Sequence, residues 1–199
     1  MRSAGHPDGA PPAHRIGPNA VLQLDAALQD SDGQAVRLGV FRRAGLLRHL
    51  RTPPTTMVEE AEVARLFAAL RHELGPDAAC RRAEDAGLRT AQYLLAHRIP
   101  KPMRRILPHL PHGIAARLLT GAIQRHGWTF LGSGTLGVDA GRPLGIHIRL
   151  AACLEPVGDV AGAFYRATFE ALFRALVSPR TTARPRFNTA TACDFDLAW

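Results

Sequence analysis

No stretch of the 199-residue chain reaches the about 18 consecutive apolar residues that a membrane-spanning helix requires. The opening segment MRSAGHPDGAPPAHR lacks the apolar centre of a secretory signal. The expectation is a cytoplasmic protein with at most peripheral membrane contact. Cysteine is scarce. Cys80, Cys153 and Cys193 are odd in number, far apart and free of any C-x-x-C spacing. That excludes a zinc ribbon or a dithiol redox motif and suits a reducing compartment. There is no internal repeat, and no low-complexity tract beyond the first residues. No nucleophile constellation emerges either: Ser133 has no neighbouring base, and Asp194 and Asp196 read as the wet side of a strand rather than as an acid and base.

What is present is 46% hydrophobic residues, enough for one well-buried core and too little chain for two enzyme domains. The 25 Lys plus Arg against 17 Asp plus Glu give a net charge of +8, which attracts anions. The arginines spread over several helices with carboxylates between them, without the concentrated stripe or reading motif of a nucleic-acid binder, so DNA and RNA are not expected.

Residues 1–15 combine Gly, Pro, Ala and His without periodicity and are expected to form a disordered tail, leaving 16–199 as a single domain. Ile16-Gly17-Pro18 leads into an apolar helix over Ala20 to Leu28, and a short helix follows over Val36 to Arg43. After Pro53-Pro54, Val63, Leu66, Phe67, Leu70 and Leu74 recur at helical spacing, with Glu59, Glu60 and Glu62 at the start where the helix dipole favours them. Gly75-Pro76 ends that helix. Another covers Asp77 to His97, with Cys80, Ala83 or Glu84, Gly87, Ala91 and Leu94 on one face, whose small residues permit close packing. Ile99 to His112 carries four prolines and reads as a stiff basic connector before a helix over Gly113 to Arg125.

Beyond Gly127 the period changes to that of strands: Trp128 to Leu136, Leu144 to Leu150 and Cys193 to Trp199, the first two paired as a hairpin through the turn Asp139 to Pro143. Leu144, Ile146, Ile148 and Leu150 share a face, leaving His147 and Arg149 opposite. Val160 to Val177 is a helix with a broad apolar surface, whose Phe164, Phe169 and Phe173 read as core. Thr182 to Thr189 adds a fourth strand that Pro185 confines to an edge or bulge. The pattern is α+β: N-terminal helices packed with a mainly antiparallel sheet of about four strands, one long helix inserted before the last strands.

Gly132-Ser133-Gly134-Thr135-Leu136-Gly137 is a literal G-x-G-x-x-G. That motif binds dinucleotides by setting pyrophosphate at the N-terminus of the helix it opens. Here it runs through Val138 to Pro143 into a further strand, so it reads as a glycine-rich strand, bulged or closely approached.

Four phrases, RIGPNAVLQL at 15–24, AGLRTAQYLLAHRIP at 86–100, AIQRHGWTFLGSG at 122–134 and FYRATFEALF at 164–173, resemble the bacteriochlorophyll 4-vinyl reductase family. The resemblance runs over most of residues 15–199. It implies the ligand-binding fold shared with Golgi transport-complex subunits and small-molecule sensor domains, in which helices and an antiparallel sheet enclose an apolar pocket. It further implies a part in reducing the 8-vinyl group (4-vinyl in older nomenclature) of a divinyl chlorophyllide precursor. The chain departs from the family's cysteine pattern: the last helix begins Val160-Ala161-Gly162 and only Cys193 stands near the end, so no metal site of the protein's own is expected.

A magnesium tetrapyrrole accepts one axial base, and His97 and His126, which end helices, are the candidates. The basic run with Arg98, Lys101, Arg104 and Arg105 could hold its carboxylate, dock an acidic partner, rest on an anionic membrane or simply form a solvated loop, and Trp128 completes the expected binding set. No catalytic residue and no cofactor site is legible. The first expectation is therefore a substrate-binding or carrier protein, with other bacteriochlorophyll-biosynthesis enzymes as partners. An NADPH-dependent reductase and a pigment-free scaffold are the alternatives.

Overall fold

The computed structural model describes residues 14–188 and 191–199, without the side chains of Trp128, Phe187 and Asn188. Residues 1–13, most of the expected tail, lie outside it. His14 and Arg15 do not belong to a tail: Arg15–Ile16 is a short strand (β1) paired antiparallel with Val58–Glu59 (β2).

Helices α1 (Asn19–Ser31) and α2 (Gly33–Arg43) follow, then the short α3 (Leu47–Arg51). Helix α4 (Glu60–Leu74) buries Val63, Leu66, Phe67 and Leu70 as its spacing predicts. Gly75 at φ 77° stops it in a conformation a side chain would resist, and Pro76, which needs no amide partner there, starts α5 (Pro76–His97). The expected connector is instead a helix, α6 (Lys101–Ile106), with a 3-10 turn at Leu107–His109. The prolines punctuate it without breaking it: Pro100 and Pro111 precede α6 and α7 (His112–His126), and Pro102 sits in a first turn, where a missing N–H leaves no bond unmade.

The sequence reading fails at Trp128–Leu131. This is a helical turn (α8), not the start of a strand, because Gly127 keeps helical angles and carries the chain on from α7 until Gly132, at φ 60°, ends it. Only Thr135–Asp139 is extended (β3). It forms the expected hairpin with β4 (Leu144–Arg149). After a 3-10 segment at Ala152–Val157 comes α9 (Gly158–Leu176), then β5 (Thr182–Asn188) and β6 (Ala192–Ala198). The antiparallel order is β3-β4-β6-β5. Pro185 lies on edge strand β5 at a break in register, as its missing amide demands. The α+β class stands.

Helix α9 is the centre. On its sheet side Phe169 meets Phe195 edge-on, ring centres 5.5 Å apart, and Phe173 stacks near Trp199, while Ile146, Ile148 and Cys193 close the layer. Toward the helices Phe164 meets Phe67, and α5 comes so close at Gly87 that a Cβ there would overlap the Phe164 carbonyl oxygen and lie 3.1 Å from Ala167 Cβ. The Thr168 hydroxyl fills that seam, 2.8 Å from the Phe164 carbonyl oxygen and 3.1 Å from that of Gly87.

The four family-like phrases are the joints of this architecture. Gly17 N–H donates to the Thr129 carbonyl at 2.6 Å, joining the first phrase to the third. Tyr165 O–H donates to the Phe130 carbonyl at 2.9 Å, joining the fourth to the third. Gly87 joins the second to the fourth. Burial raises the Tyr165 hydroxyl far above its ordinary pKa, so it remains a donor throughout the physiological range.

Candidate functional site

Three polar constellations stand out, the first at the glycine motif. Gly132-Ser133-Gly134 opens onto strand β3, and its amide is already occupied: Ser133 N–H and Ser133 Oγ each bond to the Glu60 carboxylate at 2.8 Å. His14 Nδ1 lies 2.9 Å from the same carboxylate, and Glu60 N–H donates back to the His14 carbonyl. A side chain at Gly132 would collide with Glu60 and with Ile16. Burial pushes the Glu60 carboxyl up, but the Ser133 and His14 bonds outweigh it and leave the group below its ordinary pKa. The motif thus holds an internal carboxylate: the Ser133 amide that would meet a phosphate is taken by Glu60. By sequence Glu60 is an ordinary first-turn residue. Nothing in its spacing sets it apart from Glu59 or Glu62.

The second constellation is on the outer face of the sheet. His147 lies between Asp139, 2.8 Å from Nε2, and Asp194, 3.3 Å from Nδ1. Asp196 pairs with Arg186 on the next strand. With both ring nitrogens of His147 spoken for, this is a cross-strand charge network that holds the hairpin, consistent with the wet side expected for Asp194 and Asp196.

The third is the segment from His97 to Arg105. His97 ends α5 with its ring stacked on Tyr93, centres 4.6 Å apart, and its Nδ1 lies 3.1 Å from the Tyr93 carbonyl oxygen. A carbonyl only accepts, so Nδ1 carries the hydrogen of this bond, and Nε2 has no hydrogen-bond partner among the described residues. Arg98 follows at the helix end, Lys101 and Arg105 are exposed on α6, and Arg104 is half-buried with Nε lacking any hydrogen-bond partner. None of these four cations has a carboxylate within ion-pair distance among the described residues. Several other arginines are ion-paired, Arg37 with Asp25, Arg82 with Asp32, Arg89 with Asp30 and Asp85, Arg71 with Asp159, whereas Arg42, Arg51, Arg117 and Arg125 are, like these four, without an ion pair among the described residues.

His126 is exposed at the end of α7, where its backbone carbonyl accepts the Thr129 hydroxyl, and no hydrogen bond or ring contact joins it to His97. The Trp128 side chain lies outside the described ones. A cleft of about 420 Å³ lies elsewhere, beside the β1–β2 pair, lined by Arg15, Arg48, His49 and the 52–59 loop; Arg48 and His49 both bind Glu62, which already satisfies them. None of the sequence-predicted site residues lines it.

Cys193 is buried and its thiol is pushed up to about 12 by that burial, with Asp194 adding to the effect; Cys80 and Cys153 are also raised. Among the described residues no cluster of His, Cys, Asp and Glu is arranged to hold a metal, and no helix is long and apolar enough to cross a membrane.

No family model matches the chain. It is 39% identical over 196 residues to the bacteriochlorophyll synthase 23 kDa chain of Cereibacter sphaeroides, covering 93% of this chain and 91% of that one. To the protein of the same name from Rhodobacter capsulatus it is 38% identical over 169 residues, covering 84% and 78% respectively. Neither relative bears the name of a vinyl reductase, which narrows the resemblance read from the four phrases to the pathway in those names. Identity at this level over most of the length of each chain places the protein in the family of the bacteriochlorophyll synthase 23 kDa chain.

Proposed function

We propose that the protein acts in bacteriochlorophyll biosynthesis, binding a divinyl (proto)chlorophyllide-type magnesium tetrapyrrole as the substrate-binding or carrier component of 8-vinyl reduction. The pathway rests on the names of its relatives. The ligand class is supported by one observation above all: the exposed His97, its Nδ1 engaged by the Tyr93 carbonyl, stands next in sequence to cations without ion-pair partners among the described residues. A magnesium tetrapyrrole acid needs one neutral axial base and a counter-charge for its carboxylate. His97 supplies the first; Arg98, Lys101, Arg104 and Arg105 supply the second through charge-assisted hydrogen bonds. His126 and Trp128 remain secondary candidates for the same ligand.

A vinyl reduction also requires a hydride or electron donor. The one glycine motif that resembles a nucleotide loop is occupied by Glu60. The carrier reading therefore takes precedence over an NADPH-dependent reductase, and the donor belongs to a partner enzyme.

Titration of the full chain with divinyl protochlorophyllide, followed by absorbance, tests this. Binding should shift the pigment bands, and adding NADPH should produce no monovinyl product. His97→Ala should remove the ligation-dependent part of the shift, and Arg98→Gln with Arg105→Gln should weaken binding by about tenfold. Turnover by the protein alone would establish the literal reductase. Unchanged pigment spectra, together with retention of pathway enzymes on the immobilised chain, would make it a scaffold.

A further inference from the structure

The charge of this chain is not evenly spread. Between Ala86 and Val138 there is no Asp or Glu at all, whereas seven Arg and Lys fall there, against a net charge of +8 for the whole molecule. The interleaving of cations with carboxylates that composition suggested does not hold in this stretch. It contains all four large hydrophobic side chains exposed among the described residues, Leu88 on α5 and, on α6 and α7, Ile106 at 53%, Ile114 at 52% and Leu118 at 46%.

On α7 the two features share one stripe. Ala115, Ala116, Leu119 and Thr120 are buried, so the opposite side presents Ile114, Arg117, Leu118 and, two turns on, Arg125. Neither Arg117 nor Arg125 meets a carboxylate among the described residues. A soluble surface hides Ile and Leu or scatters them singly, and it intersperses charges of both signs. Here apolar and cationic side chains alternate along one exposed helix face, and its arginines have no carboxylate within ion-pair distance among the described residues.

We propose that this outer face of α7 docks on a bilayer rich in anionic phospholipid. The arginines would meet the phosphate groups while Ile114 and Leu118 enter the acyl boundary, as interfacial amphipathic helices do. A nucleic acid would use the arginines but would leave the isoleucine and leucine in water. The face uses none of the residues assigned to the pigment, so the inference stands or falls apart from the pigment reading.

Vesicle flotation with the full, pigment-free chain tests it. The chain should float with vesicles of phosphatidylcholine containing about one-third phosphatidylglycerol and not with phosphatidylcholine alone, an anionic fraction large enough to give the surface a negative potential. Arg117→Gln with Arg125→Gln should weaken binding by about fivefold per cation removed. Ile114→Gln with Leu118→Gln should weaken it by about tenfold at unchanged charge. Arg42→Gln with Arg51→Gln, exposed on α2 and α3, should leave it intact.

Failure to float with the anionic vesicles, an unaltered affinity after the apolar substitutions, or an equal loss from the α2–α3 control would each overturn the proposal. Capture by immobilised polyglutamate without vesicle binding would overturn it too, and would assign the face to an acidic protein instead.

Discussion

Helices α5 and α7 both carry small residues at helical spacing, and the two regions use them in opposite ways. In α5, Ala79, Ala83, Ala86, Gly87 and Ala91 are buried where the helix runs between α1 and α9, and the missing side chains let backbone approach backbone. In α7, Ala115 and Ala116 face the core, but Gly121 has nothing within 4 Å of where a Cβ would stand, and the outward residues are Ile114, Arg117 and Leu118. Smallness alone therefore does not indicate a tight interface. What decides is whether another chain segment occupies the space beyond the absent Cβ. The α5–α9 seam holds the fold, while the outer face of α7 is left for something outside it.

The largest effect should come from closing the seam. Gly87→Ala sets a methyl group against the Phe164 carbonyl, a backbone atom that cannot swing away, so α5 must retreat and open its contacts with Ala167 and Thr168. A loss of about 3 kcal/mol in urea unfolding is expected. A variant within about 1 kcal/mol of the parent would mean that the two helices slide freely, and the contrast with α7 would disappear.

A smaller loss is expected at the carboxylate receptor that ties β1 and α4 to the glycine turn. Glu60→Gln keeps the shape but replaces one acceptor oxygen with an NH2 group, which faces donors, so about 1–2 kcal/mol should be lost at neutral pH. The sign with pH follows from the bonds that lower this group. Its pKa in the folded protein lies below the ordinary value of 4.5. Its stabilisation is therefore complete above that value and fades as the pH falls through the lowered one. Parent and Glu60→Gln should differ in urea midpoint at pH 7 and converge in acid. A gap that stays constant from neutral to acid would show that the carboxylate charge is not what Ser133 and His14 hold.

The fold was legible where one element supplied its own signal. The periodicity of α4, the alternation in β4 and β6, and the edge position of Pro185 all follow from local spacing. The turn at Trp128–Leu131 was not, because its apolar residues suit a strand equally well and only the helical angles of Gly127, set by α7 before it, decide the matter. Glu60 escaped for a similar reason. Its partners, His14 and Ser133, are 46 and 73 residues away, and no local pattern reports such a meeting. Of the site candidates, the run from His97 to Arg105 was visible as a charge cluster, whereas the orientation of the His97 ring emerged only with the Tyr93 carbonyl in place. The absence of carboxylates from 86–138 was in the sequence throughout, but it gains meaning only when α7 shows which side of that stretch is exposed.

The smallest effect completes the comparison with its sign reversed. Gly121 lies inside α7 with open space beside it, so an added methyl group meets no neighbour and removes backbone freedom that folding must otherwise restrict. Gly121→Ala should therefore stabilise the protein by about 0.5–1 kcal/mol, measured by the same urea titration that registers the loss at Gly87. The two substitutions are chemically identical and both lie in helix interiors, so propensity predicts the same gain for each, and only the occupied space at Gly87 can reverse it. A destabilised Gly121→Ala would reveal a packing partner against the outer face of α7 in the free protein. In that case the face is not open to a bilayer, and its exposed Ile114 and Leu118 belong to an intramolecular contact instead.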